Sequence, residues 1–476
     1  MTSSTKKRIA QIRQGQVPKG YKKTRKGTIP IQWKIYTIGD IATISSGSTP
    51  SRSVSKYWNG KVPWVTTGEL NEGCIRSTKE MISYKAIEDL NLKIYPIGTL
   101  LMAMYGQGKT RGTTAVLGIN ATINQACAAI TVRYDLSPYL YYYLQSSYYD
   151  MRRLSNVGNQ ENLNADIIKT YPVILPPLAE QRKIAQILAT QDRVIELKKK
   201  LLEETKRRKK ALVKMLMDPT GRKRLEAASP RDPTKRLESA SPRGEAASCR
   251  LNNEWHTAHV SDLFVPIARK NTTGNKNILT ISAQDGLVNQ FEYYKHQYAS
   301  VDVSGYTLLK RGEFAYNKSR SGEYPYGAIK KLDKYEEGVV SPLYLCFAAK
   351  NVACLDFWSY YFEAGMLNRS LYRIAQEGAR NHGLLNIPTD GFFESKLLVP
   401  PLPVQRRIAT ILSAADREID LLRQNLEQEE RKKKALMQLL LTGMVRVAGK
   451  GGTVENRLPA ACESGVKRQE AASPRR

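Results

Sequence analysis

One stretch of the chain carries the residue types of a phosphate-binding loop. Ala103-Met-Tyr-Gly-Gln-Gly108-Lys109-Thr110 fits a relaxed form of that loop, with Ala in place of the first glycine. A true loop of this kind joins a strand to a helix whose N-terminus faces the phosphates. Here the residues that follow, Arg-Gly-Thr-Thr-Ala-Val-Leu-Gly, predict a strand instead. A nucleotide-hydrolysing site at Lys109 is therefore a remote alternative, and the expected structure is a glycine-rich turn between strands.

Other motifs for catalysis are missing from the sequence. It has no GxSxG, HExxH or catalytic Cys/His pattern, and no Asn/Asp-Pro-Pro-aromatic motif for methyl transfer to an amino group. His256 and His259 stand as HxxH, but no nearby cysteine or acidic set completes a metal site. We therefore expect a chain that is not an enzyme and binds no metal or cofactor of its own.

The charge of the chain predicts a polyanionic partner. Its 476 residues include 74 Lys and Arg against 44 Asp and Glu, which leaves a formal net charge of +30. An excess of this size is typical of proteins that bind nucleic acid. The sequence has neither a run of about 18 apolar residues for a transmembrane helix nor the apolar segment of a signal peptide. A cytoplasmic protein without a membrane partner is expected.

Polar loops rich in hydrogen-bond donors are the candidates for contacting DNA. Arginine and lysine suit guanine edges and phosphates, whereas asparagine and glutamine suit adenine. The alternative for each residue is an ordinary solvated loop. The predicted DNA-contacting residues in the first half of the chain are Thr66, Thr67, Gln107, Lys109, Thr110, Arg111, Asn159, Gln160 and Asn162. Those in the second half are Lys318, Ser319, Arg320, Arg380, Asn381 and His382.

A duplicated segment determines the predicted architecture. Residues 176–217 and 400–441 align without a gap, and both begin with Pro-Pro-Leu followed by Gln-Arg. Such a repeat indicates two copies of one structural element. Pro-Pro marks the start of a helix, and the apolar residues after it recur at spacings of three and four. Each copy therefore predicts one long helix.

The two predicted helices are long enough to pair with each other. About 38 helical residues span roughly 57 Å, which is more than one small domain covers. Narrow apolar stripes flanked by charge favour a coiled coil between them. The alternative is two separate amphipathic helices, each lying on its own domain. The predicted coiled-coil and partner-interface residues are Gln181, Arg182, Ile184, Ile187, Leu188, Leu202, Gln405, Arg406, Ile408, Ile411, Leu412 and Leu426.

A domain-sized block precedes each long helix. Both blocks are rich in Thr, Val, Ile and Tyr with many glycine turns, which predicts β-rich domains with a few helices. Two landmarks recur: residues 95–105 resemble 309–316, and residues 156–164 resemble 377–386. The predicted organisation is an N-terminal basic segment (1–30), a first domain (31–175), a first spacer helix (176–217), a basic low-complexity linker (218–250), a second domain (251–399), a second spacer helix (400–445) and a disordered tail (446–476).

These stretches resemble a known protein family. Ile-Gln-Trp at 31–33 and Val-Pro-Trp-Val-Thr-Thr-Gly-Glu-Leu at 62–70 are similar to the start of the target recognition domain in specificity subunits of type I restriction-modification systems. Asn-Gln-Ala-Cys at 124–127 matches the middle of that domain. The pattern Pro-Pro-Leu-x-x-Gln-Arg-x-Ile-Ala, typical of the start of the family's conserved helix, occurs twice.

The resemblance implies an α+β fold with two target recognition domains, separated by two long antiparallel helices that form a coiled coil, and a pseudo-twofold repeat. It implies that each domain reads half of a split site in double-stranded DNA, while the helices set the spacing and dock two methyltransferase subunits. Restriction (translocase) subunits complete the complex. S-adenosylmethionine, ATP and Mg²⁺ are then expected on the partner subunits. A stand-alone bipartite DNA-binding protein is the alternative.

Overall fold

Each of the two units of the fold takes residues from both halves of the chain. Unit 1 comprises Met1–Leu201 and Leu422–Arg476, and unit 2 comprises Leu202–Leu421. The computed structural model describes residues 3–106, 108–132, 136–154, 162–218, 255–282, 285–294, 302–322, 324–350, 354–377 and 385–447. The predicted linker (218–250) and tail (446–476) lie outside these ranges, apart from residues 218, 446 and 447. The predicted domain boundaries stay predictions.

Unit 1 begins with a helix and a short hairpin, so the predicted N-terminal basic segment contains regular structure. Its elements are α1 (Ser3–Arg13), β1 (Tyr21–Thr24), β2 (Gly27–Pro30), β3 (Lys34–Thr37), α2 (Ile38–Ile41), β4 (Ala42–Ser46), the 3₁₀ helix η1 (Ser55–Tyr57), β5 (Trp58–Val65), the 3₁₀ helix η2 (Thr67–Glu72), β6 (Cys74–Ile75), β7 (Glu80–Ile82), α3 (Tyr84–Asp89), β8 (Leu100–Ala103), β9 (Thr114–Leu117), β10 (Thr122–Ile123), β11 (Cys127–Val132), α4 (Ser137–Ser146), α5 (Tyr148–Arg153), α6 (Ala165–Thr170), β12 (Pro172–Leu175) and the long helix α7 (Leu178–Leu216), which continues into unit 2.

The main sheet of unit 1 has five strands in the order β4-β11-β8-β9-β6. All neighbours are antiparallel except β6 and β9. Every residue of β8 is buried. Leu100 and Met102 join a core cluster with the tyrosines of α4, whereas Leu101 and Ala103 join a second cluster with Val65. Because both faces of β8 are covered, its sequence is a continuous apolar run rather than an alternating one.

Unit 2 is built around a second antiparallel sheet, in the order β14-β21-β18-β19. Its elements are β13 (His256–His259), α8 (Val260–Leu263), β14 (Phe264–Pro266), β15 (Leu279–Ser282), β16 (Gly286–Asn289), α9 (Gln290–Tyr294), β17 (Thr307–Lys310), β18 (Phe314–Asn317), β19 (Ala328–Lys331), β20 (Glu337–Val340), β21 (Leu345–Ala349), α10 (Leu355–Glu363), α11 (Asn368–Ile374), β22 (Gln376–Glu377), β23 (Leu385–Asn386), α12 (Thr389–Glu394), β24 (Lys396–Val399) and the long helix α13 (Leu402–Leu441), which continues into unit 1. Aromatic rings dominate its core: Phe314 stacks on Phe347 with centroids 5.3 Å apart.

The start of each long helix is fixed by the same hydrogen bond. Gln181 Nε2 donates to the carbonyl oxygen of Pro176 at 2.7 Å, and Gln405 Nε2 donates to that of Pro400 at 2.9 Å. Both glutamines are buried. They were expected at the coiled-coil or partner interface. In the structure their amides satisfy a buried carbonyl next to the helix start, and a buried acceptor without a donor costs free energy.

Side chains of the two helices also meet inside each unit. In unit 1, Gln191 Nε2 and Lys198 Nζ donate to the carboxylate of Glu429 at 2.7 and 3.0 Å. In unit 2, Arg208 pairs with Glu418 at 3.4 Å. The helices are antiparallel, and the α+β fold class with two long helices is confirmed.

A triad of Tyr, Asp and Lys recurs in both units. Its members are Tyr142, Asp192 and Lys433 in unit 1, and Tyr360, Asp416 and Lys209 in unit 2. The carboxylate accepts the tyrosine hydroxyl at 2.9 Å in unit 1 and 2.7 Å in unit 2, and lies 2.7 and 2.5 Å from the ammonium nitrogen. Burial, and then the neighbouring carboxylate, raises the pKa of both tyrosines, so each hydroxyl remains a donor.

A buried carboxylate joins the start of α7 to the segment that follows α13 within unit 1. Glu180 is 4% exposed and accepts hydrogen bonds from Trp33 Nε1 at 3.0 Å, Arg446 Nε at 2.7 Å and Val447 N at 3.3 Å. A buried charge is tolerated when it is paired and hydrogen-bonded in this way. Arg446 and Val447 were predicted to begin the disordered tail. Here they are held on unit 1, because Glu180 binds both.

Candidate nucleic-acid interface

The glycine-rich turn of unit 1 connects two antiparallel strands, β8 and β9. Gly112 N donates to Ala103 O at 2.9 Å, and Ala103 N donates to Thr113 O at 2.9 Å. At Gly106 the backbone has a φ of +137°, and a Cβ there would lie 2.8 Å from Thr110 Cβ, so only glycine fits. Because a strand and not a helix follows the turn, the geometry of a phosphate-binding loop is missing, and the nucleotide-site alternative is wrong.

The two basic side chains predicted on this turn have different environments. Lys109 is exposed, and its carbonyl oxygen accepts the Tyr148 hydroxyl at 2.7 Å. Arg111 is only 6% exposed, and its carbonyl oxygen accepts a hydrogen bond from Arg152 at 2.9 Å. Helix α5 therefore covers Arg111 and leaves Lys109 accessible. Of these two basic side chains, Lys109 is the one placed to reach a ligand from the surface of this turn.

Thr66 and Thr67 serve the local backbone. Thr66 caps η2: its amide and its hydroxyl both donate to Glu69 Oε2, at 2.6 and 3.1 Å. Glu69 is 2% exposed and also accepts the amide of Lys79 at 2.7 Å. Thr67 is partly buried. The hydroxyl of Thr66 is thus engaged within the fold, which favours a structural role over a direct contact to a base.

The predicted loops meet at corresponding points in the two units. In unit 1, Leu163 N donates to Met104 O at 3.0 Å, which joins the segment after 161 to the start of the glycine-rich turn. In unit 2, Leu385 N donates to Lys318 O at 3.0 Å, which joins the segment after 384 to the β18–β19 loop. Leu163 and Leu385 occupy the same place in the second landmark, and Met104 and Lys318 each stand six residues after the glycine shared by the first. Local sequence similarity was therefore sufficient to find the segments that come together.

In unit 2 the β18–β19 loop separates an inward lysine from an outward arginine. Lys318 Nζ donates to Ile387 O at 3.0 Å, and burial lowers the pKa of this ammonium group. Ser319 N donates to Asn317 Oδ1 at 3.1 Å. Arg320 is exposed, and its Nε donates to Pro325 O at 3.3 Å. Arg320 is thus the one predicted basic residue of this loop whose side chain lies at the surface.

Six of the predicted contact residues have no described position. Gln107, Asn159, Gln160, Arg380, Asn381 and His382 lie outside the described residues. Asn162 is described, is partly buried and precedes Leu163. Thr110 is partly buried within the turn. All fifteen assignments therefore stay predictions, with Lys109 and Arg320 the best placed of those described.

One exposed polar residue beside the unit 1 turn, Gln125, is not among the predicted contacts. Met104 N donates to Ala126 O at 2.8 Å, so the loop before β11 lies next to the start of the turn. Gln125 in that loop is exposed. Its position within the Asn-Gln-Ala-Cys stretch at 124–127 was the available signal, because that stretch had already been noted for its resemblance to the family.

Four of the twelve predicted interface residues on the long helices are buried in the unit cores, and two more pack against those cores. Ile184 and Leu188 belong to the core of unit 1, and Ile408 and Leu412 to that of unit 2. Ile187, Ile411 and Leu426 are partly buried, Leu202 is buried, Arg182 is partly buried and Arg406 is exposed. The first turns of each helix therefore pack on a domain, and later turns contact the other helix. The structure therefore combines features of both alternatives, a pair of helices in mutual contact and helices that each lie on a domain.

The described residues offer neither a metal-binding cluster nor a membrane-spanning helix. Among residues that the structure describes, no group of three or more His, Cys, Asp or Glu side chains is arranged to hold a metal ion. Within the same ranges, the helices include none that combines the length and the apolar character needed to cross a membrane.

Comparison with known proteins relates this chain to one family. A family model described as "Type I restriction modification DNA specificity domain" matches residues 9–207. The specificity subunit of the type I restriction enzyme MjaVIII from Methanocaldococcus jannaschii is 22% identical over 442 residues, which cover 88% of this chain and 94% of that protein. Residues 9–207 thus match a type I DNA specificity domain, and nearly the whole chain is similar to a type I specificity subunit.

Two further matches add detail on coverage and fold. The MjaIX specificity subunit of the same organism is 31% identical over 186 residues, which cover 38% of this chain and 42% of that specificity subunit. A chain from a solved structure on complex assembly and conformational transition of the type I R-M system superposes with a TM-score of 0.51 at 13% identity. That match covers 88% of this chain and 99% of the other, and it supports the specificity-subunit fold.

Proposed function

We propose that this chain is the DNA-specificity subunit of a type I restriction-modification complex. Each unit reads one half of a split site in double-stranded DNA. The long helices set the distance between the half-sites and dock two methyltransferase subunits, which restriction subunits then join. The chain contributes recognition and no catalytic group. S-adenosylmethionine, ATP and Mg²⁺ bind to the partner subunits, which carry out methyl transfer, translocation and cleavage.

The observation that carries this proposal is the repeated junction of two loops. In each unit a backbone hydrogen bond brings the β8–β9 or β18–β19 loop against the second polar segment. An exposed basic side chain stands on each loop, Lys109 in unit 1 and Arg320 in unit 2. Basic side chains bind phosphates and guanine edges, and the neighbouring amides of Gln125 and Asn162 suit adenine. Two such surfaces on one chain suit a split site.

Non-identical loops at equivalent positions support two different half-sites. The unit 1 loop is rich in glycine and carries a lysine, whereas the unit 2 loop carries Lys-Ser-Arg-Ser at 318–321. Base specificity comes from the side chains that reach base edges, so different side chains at one position read different sequences. An asymmetric split target is therefore expected.

The test is to express the chain with its methyltransferase subunit in a host without that methylation and to map modified adenines in the host DNA. A split motif with one methylated adenine in each half is the expected result. The control is the methyltransferase expressed alone, for which no motif is expected. A soluble complex that methylates nothing would contradict the recognition role, and failure to form any complex would favour the stand-alone DNA-binding protein.

A further inference from the structure

A groove of about 970 Å³ in unit 2 has the second half of α7 as one of its walls. Three lysines of that helix, Lys206, Lys210 and Lys214, line it, and so do Gly322 and Tyr324 of the β18–β19 loop. Side chains four residues apart lie on the same face of a helix. The three ammonium groups therefore form a row along the groove, which we call the lysine row.

Two members of the lysine row have no acidic partner within the described part of the chain. Lys210 and Lys214 are exposed, and neither forms an ion pair with any residue that the structure describes. Lys206 pairs with Glu203 of its own helix at 2.7 Å, with both side chains largely in solvent. Like charges one turn apart weaken a helix slightly. An anion in the groove would offset that repulsion.

Two acidic side chains line the groove, Glu363 and Asp218, and neither forms an ion pair with the lysine row. Glu363 lines the groove, but Tyr324 and Lys330 already donate hydrogen bonds to its carboxylate. Lys209, also in the groove, belongs to the unit 2 triad through Asp416. The positive charge that remains available in the groove therefore lies on the lysine row.

We propose that the lysine row contacts the phosphate backbone of the duplex that the β18–β19 loop reads. Four helical residues rise about 6 Å, so the row extends over roughly 12 Å, and phosphates recur about every 3.4 Å of axis on each DNA strand. The groove is continuous with the loop that carries Arg320, because Gly322 lies two residues farther along it. The proposal rests on the proposed function, and it assigns the row a contact that is independent of sequence.

The equivalent face of α13 in unit 1 has a different charge. The residues that correspond to the lysine row in the repeat are Glu430, Lys434 and Gln438. Glu430 pairs with Lys199 at 3.0 Å. Only one lysine stands where unit 2 has three, so the backbone contact is specific to unit 2.

The experiment measures binding of the full chain to a fluorescent duplex of random sequence over a series of salt concentrations. The variant is Lys210→Gln with Lys214→Gln. The matched control is Lys22→Gln with Lys23→Gln, which removes two exposed lysines of β1. Each phosphate contact contributes about 0.9 to the slope of log affinity against log salt concentration. The groove variant is expected to lower that slope by roughly 2, while the control keeps the wild-type slope.

The outcomes distinguish the two proposals. A groove variant with the wild-type slope overturns the backbone contact, while the wild-type binding leaves the proposed function intact. An unchanged slope with lost co-purification of the methyltransferase overturns it as well and identifies the groove as a protein-docking surface. If the wild-type chain shows no salt-dependent binding, both proposals fail. Circular dichroism of the variant checks the fold, which exposed positions should leave unchanged.

Discussion

Units 1 and 2 build the junction between domain and long helix with the same side chains, but they differ in how the first helical turn is held. In both, a glutamine fixes the helix start and a Tyr–Asp–Lys triad joins the domain to both helices. Position 180 of unit 1 is a buried, hydrogen-bonded glutamate, whereas the equivalent position in unit 2 is Val404, 4% exposed. The two copies thus keep the contacts that hold the long helices on their domains. They differ at one buried position, which is a charged glutamate in unit 1 and an apolar valine in unit 2.

The difference teaches how a buried polar group is maintained. Val404 packs in the unit 2 core with Ile408 and Leu412 and needs no partner. Glu180 needs Trp33, Arg446 and Val447, which lie far from it in the sequence. Desolvation of a carboxylate is costly unless every lone pair is used. Unit 1 therefore depends on the residues that follow α13 to stabilise Glu180. Val404 in unit 2 depends on no single neighbour in this way.

The largest expected effect is a loss of unfolding free energy when Glu180 is replaced. Glu180→Ala leaves Arg446 and the Trp33 indole without their acceptor, and loss of one member of a buried pair costs about 3–5 kcal/mol. Val404→Ala is the matched variant in unit 2 and should cost about 1.5 kcal/mol, for the apolar carbons removed. Urea unfolding followed by circular dichroism measures both. Equal losses would mean that the Glu180 hydrogen bonds add nothing beyond packing.

The next prediction separates the two recognition loops. Arg320→Ala should weaken binding to the mapped target by about 1–3 kcal/mol if its guanidinium contacts a base edge, and should relax specificity only in the half-site read by unit 2. Lys109→Ala should affect only the other half-site. Arg311→Ala is the control, because Arg311 is an exposed arginine paired with Glu336 at 2.8 Å. Wild-type affinity and specificity in the Arg320 variant would exclude it as a reader.

A third prediction compares how much the two Tyr–Asp–Lys triads contribute to stability. Asp192→Asn and Asp416→Asn each remove the charge that binds a lysine, and hydrogen bonds to charged groups contribute about 1.5–3 kcal/mol. The side chain of Asp192 is 20% exposed and that of Asp416 is 38% exposed. Solvent screening therefore makes the unit 2 loss the smaller of the two. Urea unfolding of both single variants gives the order, and a larger loss at Asp416 would contradict it.

The smallest expected effect is a pH dependence confined to unit 1. Hydrogen bonds from Gln191 and then Lys198 lower the pKa of Glu429 from 4.5 to about 2. Because the folded-state pKa is depressed, the contribution of this carboxylate is fully present above pH 4.5 and is lost as the pH falls through about 2. The equivalent residue in unit 2 is Thr205, which does not titrate.

Glu429→Gln tests this pH dependence directly. Unfolding free energies of the variant and the wild type, measured by urea between neutral pH and pH 2.5, should converge as the pH falls. Glu394→Gln, at an exposed glutamate of unit 2, serves as the carboxylate control. A constant difference between wild type and Glu429→Gln across this range would show that the carboxylate charge does not stabilise the helix pair.

The long helices and the loop junctions were predictable from the sequence for a local reason. Proline pairs, apolar spacing and repeated landmarks are properties of short stretches, and they located α7, α13 and the segments that meet at Leu163 and Leu385. The recurrence of Asp192 and Lys209 in the second copy was also visible. Their pairing was not, because each aspartate binds the lysine of the other copy and a tyrosine from its own domain.

At the candidate site, the predicted and the observed surface residues differ mainly because some of the predicted side chains are buried. Arg111 and Lys109 stand two positions apart in one polar turn, and sequence alone gives both the same role. Helix α5, which lies later in the chain, covers the first and leaves the second exposed. Lys318 and Arg320 differ in the same way, since Ile387 supplies the carbonyl that binds the lysine.

The sequence by itself determined the duplication, the two helices and the basic character of the chain, because each depends on composition or on short-range periodicity. Only the tertiary structure decided which polar side chains remain at the surface, how Glu180 is neutralised and where α7 presents the lysine row. Those outcomes depend on contacts between residues as far apart as Glu180 and Arg446, 266 positions along the chain. No local pattern records which distant segment will cover a given side chain.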